Sequence, residues 1–377
     1  MFSITGYSLC TALIVSNLFF ILFILLANSK KILLQSSLIP FKVIGILILV
    51  RMFVPLENGH TEVIPSYDVF PVILNVLQRP LFDIGDYHVK IGILLMLIWI
   101  TVSVLLLIHK FKSYRTFVIG CSGGTMRCDK KMADILEEVK AANGYHFPTT
   151  LIVDKCFDSI MEFGFFKQTI LLPDVSYSEK ELRYILHHEL EHFANKTNWI
   201  KLLITIIEVL FWWNPLVYVF RNACSHLLEI YCDYSISKDF KQWEKLEYLE
   251  CLLQEAKREY SIRAQGAKRD VFYINNFAFG SHLKQRFEVL LDRKRNYMFE
   301  IVLGIVMLIG FFYSYSFVIQ PGYAPPAVNL SDFTQQEYDI RYQNGKYFVY
   351  VGDEVLVEYE TKEAMEKSGF VSKEDFK

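Results

Sequence analysis

The chain has 377 residues, of which 53% are hydrophobic and 15% aromatic, while only 21% carry a charge. Its mean hydropathy of +0.26 is high for a soluble protein of this size, so the composition predicts a membrane protein. The formal net charge of −2 excludes the bulk basic excess that is typical of nucleic-acid binding.

The first hundred residues contain three apolar stretches, each close to the length of about 20 residues that crosses the hydrocarbon core. We predict transmembrane helices at 4–27, 39–56 and 91–108. The second stretch holds Lys42 and Arg51, but each lies near one end, where a long side chain can reach the headgroups. The residues at 57–90 are then a loop on the outer side.

The sequence pattern at 109–296 predicts a folded α+β domain. Helical periodicity at 132–143 is followed by apolar, β-rich runs at 149–153 and 169–172, the second of which is closed by Pro173. A long helix is predicted at 178–195, where Ser178 followed by Glu181 fits a capping box. The seven cysteines of the chain fit neither a disulfide framework nor a CxxC metal site, so we interpret them as small buried side chains.

The predicted helix contains the sequence His188-Glu189-Leu190-Glu191-His192. Histidines four residues apart lie on one face of a helix, so both imidazoles can bind a single Zn²⁺. Glu189 is placed to take a proton from water at the metal and to pass it to a leaving amine. The alternative is a solvated polar turn; the amphipathic helix and the acidic residues downstream favour the zinc site.

The apolar stretch at 199–220 is interrupted by charged residues and by Asn214-Pro215. A single crossing here would put the next section outside, with no returning span before residue 293. We therefore interpret this stretch as a helix and a turn that pack on, or dip into, the inner leaflet.

A catalytic zinc site takes three protein ligands and keeps one position open. Glu229 would complete the site, and Asp233, one helical turn later, would hydrogen-bond a ligand imidazole. Two alternatives remain open: the two acids lie on the solvated surface, or His226 is the third ligand.

A fourth apolar stretch at 297–319 is the last predicted span. Basic clusters at 30–31, 110–115 and 293–295 all fall on one side of the membrane, and such clusters stay in the cytoplasm. This places the N-terminus outside, the domain at 109–296 in the cytoplasm and the tail at 320–377 outside. The resulting divisions are 1–108, 109–296, 297–319 and 320–377.

The tail alternates apolar and polar residues in three short runs separated by turn residues. It predicts a β-meander at 339–342, 347–351 and 355–359, followed by a short helix at 362–368. No Ser-x-x-Lys occurs after Gln320.

The chain is similar to the BlaR/MecR-type sensor-transducer metallopeptidases, bacterial integral membrane proteins with a cytoplasm-facing gluzincin domain. The similarity covers about residues 1–300. It rests on five motifs: Arg51-Met52-Phe53-Val54-Pro55, the run at 164–173, HExxH at 188–192, Trp213-Asn214-Pro215 and Glu229-x-x-Cys232-Asp233.

The resemblance implies an α-helical polytopic membrane protein with a cytoplasmic α+β gluzincin-type metallopeptidase domain and a small extracellular β-rich tail. It implies zinc ligands at His188, His192 and Glu229, a catalytic base at Glu189 and a supporting residue at Asp233. It also implies a signal outside and hydrolysis inside, with the chain itself or a cytosolic transcriptional repressor as substrate; a homodimer is compatible with this.

Two departures from the family pattern bear on function. Family members commonly have Asp five residues after the second histidine, where this chain has Thr197. The antibiotic sensors of the family also carry a penicillin-binding domain with a Ser-x-x-Lys nucleophile, so acylation by a β-lactam is not expected here. Two other functions remain open: a constitutive processing or quality-control protease of membrane proteins, and a non-catalytic receptor or scaffold.

Overall fold

The computed structural model describes residues 5–57, 61–84, 87–122, 130–155, 157, 159–264, 279–322, 338–343, 345–351 and 354–367. Internal contacts divide the chain into two units. The first comprises residues 1–64 and 76–319, and the second comprises residues 65–75 and 320–377.

The described elements follow in chain order. They are α1 (Gly6–Asn28), α2 (Lys30–Gln35), α3 (Ile39–Phe53), β1 (Glu62–Ser66), α4 (Val69–Gln78), β2 (Pro80–Ile84), β3 (Tyr87–Lys90), α5 (Ile91–Ser122), α6 (Lys130–Asn143), β4 (Thr149–Asp154), β5 (Met161–Phe163), β6 (Gln168–Pro173), α7 (Glu179–Ala194), α8 (Thr197–Leu210), α9 (Pro215–Ser237), α10 (Gln242–Ala264), α11 (Phe279–Asp292), α12 (Tyr297–Tyr313), β7 (Phe317–Pro321), β8 (Tyr338–Gln343), β9 (Lys346–Val351), β10 (Glu354–Tyr359) and α13 (Lys362–Lys367).

Among the described residues, two helices are long and apolar enough to cross a membrane, judged by length and composition: Gly6–Asn28 and Ile91–Cys121. They coincide with the first and third predicted spans. Other protein segments bury only 6% of the apolar stretch within Ile91–Cys121. This helix continues unbroken past the predicted boundary at 108 to Ser122, so it joins two of the predicted divisions.

The other two predicted spans are shorter helices. The stretch at 39–56 is helical only over Ile39–Phe53, and the predicted span at 297–319 is wrong in its last part, because Tyr297–Tyr313 is followed by strand β7. At the end of α12, the Arg51 guanidinium donates to Ser314 Oγ (3.1 Å) and to the Ser314 carbonyl (3.2 Å). The Ser314 carbonyl at the C-terminus of α12 thus has a hydrogen-bond donor from outside its own helix.

A three-stranded sheet and helices α6 and α7 form the main hydrophobic core of the section at 109–296. The strand order is β4-β6-β5, with β6 parallel to β4 and antiparallel to the edge strand β5. The predicted strands at 149–153 and 169–172 are confirmed, and Pro173 is the last residue of its strand. Helix α7 packs Leu186 and Leu190 against Ile170 and Leu172, which leaves its opposite face for polar groups.

The predicted helix and turn within 199–220 are confirmed, and they form part of a helical hairpin. Helix α8 ends at Leu210, and α9 begins at Pro215, where the Asn214 side chain accepts a hydrogen bond from the backbone N–H of Leu216 (3.0 Å). Proline suits this first helical position because its missing N–H would have no partner there. Helix α9 reverses the direction of α8 and returns to the level at which α8 begins, where Glu229 reaches His192.

In the second unit the predicted meander is confirmed. Strands β8, β9 and β10 form an antiparallel sheet in the order β10-β9-β8, and α13 follows. Ile340, Val349 and Met365 form its small buried core. Gly345 supplies the positive φ (84°) of the first turn, whereas residues 352–353 of the second turn lie outside the described residues.

Candidate metal centre

Helix α7 carries the HExxH sequence, and its start is fixed by the predicted capping box. Ser178 Oγ accepts from the Glu181 backbone N–H (3.2 Å), and the Glu181 carboxylate accepts from the Ser178 N–H (2.8 Å). This reciprocal pair satisfies N-terminal donors that have no partner inside the helix. His188 and His192 point away from the apolar core but are still buried, with 8% and 3% of their surfaces exposed.

The two histidines face each other across one helical turn. Their Nε2 atoms lie 3.0 Å apart. Glu229 of α9 completes a triangle, because its two carboxylate oxygens lie 3.4 Å from His188 Nε2 and 3.4 Å from His192 Nε2. Helices α7 and α9 therefore bring three side chains together, although His188 and Glu229 are 41 residues apart in the sequence.

These distances fit a single zinc ion. Ligand bonds of about 2.0–2.1 Å in a tetrahedron put neighbouring donor atoms about 3.4 Å apart. The observed separations of 3.0, 3.4 and 3.4 Å lie close to that spacing. Two imidazoles and a carboxylate are also the donor set of catalytic zinc sites that leave one position open.

Two other residues compete as ligands. Cys232 Sγ lies within 4.8 Å of a ring nitrogen of each histidine, so His188, His192 and Cys232 also form a potential metal-binding group. Its thiol, however, hydrogen-bonds to the backbone carbonyl of His188 (3.3 Å). His226 Nε2 is 2.6 Å from Gln285 Oε1, so that nitrogen is already engaged. We favour Glu229, which faces both Nε2 atoms.

Asp233 lies behind His188 rather than at the open side of the site. Its Oδ1 is 3.3 Å from His188 Nδ1 and accepts a hydrogen bond from the Tyr248 hydroxyl (2.7 Å). The same hydroxyl lies 2.9 Å from His188 Nδ1. Arg286 holds the carboxylate from the other side, with Nε 2.5 Å from Oδ2 and Nη2 2.9 Å from Oδ1.

Thr197 takes the corresponding place behind the second histidine. Its Oγ1 lies 3.4 Å from His192 Nδ1, and the residue is 2% exposed. The side chain that departs from the family pattern therefore still contacts the ring it would be expected to orient. A neutral hydroxyl orients the imidazole more weakly than a carboxylate would.

Glu189 lines the cavity in front of the histidines, and the strand beside it positions the helix. Gln168 Nε2 donates to the Glu189 backbone carbonyl (2.6 Å) and to Glu162 Oε2 (2.9 Å). The second oxygen of Glu162, Oε1, is buried and has no hydrogen-bond partner among the described residues. Burial raises the pKa of Glu162 and outweighs His192 and Lys201, which lower it; the nearby Glu189 adds to the increase.

The electrostatics favour positive charge at the site. Burial raises the pKa of Glu229, but His192, His188 and Arg286 outweigh it and hold that pKa well below its ordinary value. Burial likewise raises the pKa of Asp233, and Arg286 lowers it more. Burial lowers the pKa of His192, whereas Cys232 and Glu229 raise it to about 10. The carboxylates of Glu229 and Asp233 beside two imidazoles favour a cation at this place.

A cavity of about 730 Å³ opens onto these groups. It is lined by residues from α5, β5 and α7–α11, including Glu162, His188, Glu189, His192 and Glu229. The volume is that of a small-molecule or peptide side-chain pocket rather than of a solvent crevice.

The sequence prediction named His188, Glu189, His192, Glu229 and Asp233, and the structure brings all five to one place. It missed Cys232, Tyr248, Arg286 and the pair Glu162–Gln168. Cys232 lies within the Glu229-x-x-Cys232-Asp233 motif, which was a usable signal. No motif marks Tyr248 or Arg286, because each reaches the site only through the packing of α10 and α11 on α9.

Comparison with known proteins matches the same part of the chain. The family model described as BlaR1 peptidase M56 matches residues 86–290, more than half of the chain. The methicillin resistance mecR1 protein of Staphylococcus aureus is 25% identical over 208 residues, which are 52% of this chain and 33% of the relative. The mecR1 protein of Staphylococcus epidermidis gives the same values.

The regulatory protein BlaR1 of Bacillus licheniformis is 26% identical over 192 residues, which are 48% of this chain and 31% of the relative. The match thus spans about a third of the length of these curated relatives.

Proposed function

The chain belongs to the BlaR1 peptidase M56 family, and from that premise we propose that it is a membrane zinc metalloendopeptidase that transduces a signal. It hydrolyses a peptide bond in itself or in a cytosolic regulator when a stimulus acts outside. One observation carries the proposal: the Nε2 atoms of His188 and His192 and the carboxylate of Glu229 converge at 3.0–3.4 Å beside Glu189.

His188, His192 and Glu229 would hold the zinc, with Cys232 as the alternative third ligand. A bound zinc ion supplies Lewis acidity and lowers the pKa of a water molecule toward neutrality. Asp233 and Tyr248 fix the ring of His188 from behind, and Thr197 does so for His192. Each of these contacts is to an Nδ1 atom, so each leaves Nε2 available for the metal.

Glu189 would act as the general base. It is adjacent to His188 in the sequence and lines the cavity. Its carboxylate takes a proton from the attacking water and returns it to the amine of the leaving peptide. A base that is not a ligand can be removed without removing the metal.

An extended peptide substrate has a docking edge next to these groups. Strand β5 is the edge of the β4-β6-β5 sheet, and its residues Met161, Glu162 and Phe163 line the cavity with Glu189. A peptide that adds to such an edge places its backbone carbonyl at a fixed distance from the metal centre.

The membrane arrangement proposed with this function has four spans, the peptidase domain in the cytoplasm and the tail outside. The hairpin α8–α9 supports it. Its tip contacts two apolar helices, through Asn214 Nδ2 to Asn17 Oδ1 of α1 (2.7 Å) and Trp99 Nε1 of α5 to the Leu210 carbonyl (2.5 Å). Glu229 on the returning helix contacts the histidines that precede the hairpin, which supports a hairpin that would enter the membrane and return to the same side.

The function is tested with the full chain in lipid nanodiscs, by measuring bound zinc and by mass spectrometry of self-cleaved fragments. We expect about one zinc per chain in wild type and in Glu189→Gln, and cleavage in wild type alone. Glu179→Gln makes the same change at an exposed position of α7 and should cleave like wild type. Cleavage by Glu189→Gln would contradict the mechanism. Zinc binding without any cleavage, of itself or of an added repressor, would favour a receptor.

The orientation is tested by labelling single cysteines at Lys180, Lys238 and Lys362 with an impermeant maleimide on intact cells. In a chain otherwise free of cysteine, only the cysteine at 362 should react. Reaction at 238 but not at 180 would show that the hairpin crosses the membrane, and would remove Glu229 from the site.

A further inference from the structure

Arg286 is a buried cation beside the metal centre that the proposed reaction does not use. Its guanidinium forms two parallel hydrogen bonds to Asp233, at 2.5 Å and 2.9 Å. Only 17% of the Arg286 side chain and 1% of the Asp233 side chain are exposed to solvent. Paired donors of this kind fix the plane of a carboxylate as well as its position.

That fixed plane matters because the same carboxylate faces a ligand imidazole. Asp233 Oδ1 is 3.3 Å from His188 Nδ1 and is shared with the Tyr248 hydroxyl, which lies 2.9 Å from Nδ1. A carboxylate held by one neighbour could rotate about its last bond; Arg286 prevents that rotation. The chain of contacts therefore runs from Arg286 through Asp233 to His188.

The helix that carries Arg286 is itself tied to the segment between the first two predicted spans. Glu288 pairs with Lys30 at 2.9 Å, and Gln285 Nε2 donates to the Asn28 carbonyl (3.2 Å). Just beyond α11, the Arg293 guanidinium donates to the Ser36 carbonyl (2.8 Å). These contacts connect α11 and the residues just after it to residues 28–36.

We propose that Arg286 is the positioning residue of the metal centre: through Asp233 it holds His188 in place for zinc, and through α11 it links that ligand to residues 28–36. The inference rests on the zinc site of the proposed function. The proposal predicts that loss of Arg286 weakens zinc binding, which is the opposite of what charge repulsion alone predicts. Arg286 is a cation near a metal site, with Nη2 3.8 Å from Glu229 Oε2, so its removal would strengthen zinc binding if charge alone mattered.

The test is the zinc dissociation constant, measured by competition with a chromophoric chelator on the full chain in nanodiscs. Loss of a residue behind a ligand typically costs about 10–100-fold in metal affinity, and we expect Arg286→Met to weaken binding about tenfold. Asp233→Asn should weaken it at least as much. The double variant should match Asp233→Asn within about twofold, because Arg286 acts through that carboxylate.

Two further variants control for charge and folding. Lys284→Met removes a positive charge from the exposed side of α11 and should leave zinc affinity unchanged. Arg286→Lys keeps the charge but cannot form the two parallel bonds, so we expect an intermediate loss of about threefold. If Arg286→Met does not fold, Arg286→Lys with and without Asp233→Asn gives the same comparison.

Unchanged or tighter zinc binding in Arg286→Met would overturn the proposal. So would a double variant whose losses simply add, because this would show that Arg286 acts independently of Asp233. Wild-type protein that binds no zinc would instead overturn the proposed function, and the inference with it.

Discussion

Helix α7 and the pair α10–α11 contribute to the same site in different ways. Helix α7 presents His188 and His192 by its own periodicity, so their proximity is a property of one helical turn. Helices α10 and α11 contribute Tyr248 and Arg286, whose proximity to His188 exists only after both helices pack on α9. The comparison shows that the ligands are encoded locally, whereas the groups that hold them are encoded by tertiary structure.

The largest expected effect lies on α7. His188→Ala or His192→Ala removes one ligand of three, so zinc should fall from about one per chain to near zero after dialysis against a weak chelator. The measurement is metal content by atomic emission. His187→Ala is the matched control, because this neighbouring histidine faces the Tyr145 ring, 6.1 Å away, instead of the site.

Zinc content near wild type in His192→Ala would show that the metal is held elsewhere. Loss of zinc in His187→Ala would show that helix α7 as a whole, rather than its ligand face, had been damaged.

The next effect compares two acids one turn apart on α9. Glu229→Gln should weaken zinc binding more than Asp233→Asn, because the first faces both Nε2 atoms and the second only His188 Nδ1. For Asp233→Asn we expect a loss of about 10–100-fold, as for other groups behind a ligand. The reverse order of affinities would favour Cys232 as the third ligand, and a Cys232→Ser variant would then lose the metal.

Much of the fold could be predicted because local signals were strong. The capping box at Ser178 marks the start of α7, and the predicted end at residue 195 is the residue that follows its last turn. The strands at 149–154 and 168–173 and the tail meander follow from β-rich or alternating runs between turn residues. The turn before α9 follows from Asn214-Pro215.

The remaining elements lack such signals. Strand β5 has three residues, too few for a period to show, yet it brings Glu162 to the cavity. The end of α12 contacts Arg51, which is 263 residues away from Ser314 in the sequence. Cys232 was interpreted as a small buried side chain, which is correct for its burial but does not show its place beside two histidines. Contacts of this kind are set by the packed structure.

A smaller effect is expected at Thr197, which supports His192 as Asp233 supports His188. Thr197→Val keeps the shape of the side chain and removes the hydroxyl 3.4 Å from Nδ1. Because this contact is long and uncharged, we expect zinc affinity to fall only about two- to fivefold, less than for Asp233→Asn. Thr197→Asp introduces the residue that family members commonly have, and should bind zinc at least as tightly as wild type.

A loss in Thr197→Val as large as that in Asp233→Asn would mean that the two histidines are supported equally. The contrast between a strongly held and a weakly held ligand would then be wrong.

The smallest effect tests whether the support on α11 extends to residues 28–36. Glu288→Gln weakens the pair with Lys30, in which the side chains are 21% and 53% exposed. Pairs so open to solvent contribute little to stability, so the fold should be unaffected and zinc affinity should change by no more than about twofold. The informative quantity is the rate of zinc release to excess chelator, which should rise in Glu288→Gln because a looser α11 holds Asp233 less firmly.

In an Arg286→Met background the same change should have no effect, since the connection from α11 to Asp233 is already broken. An equal acceleration in both backgrounds would show that α11 influences the site by another route, and would limit the role of Arg286 to the carboxylate that it touches.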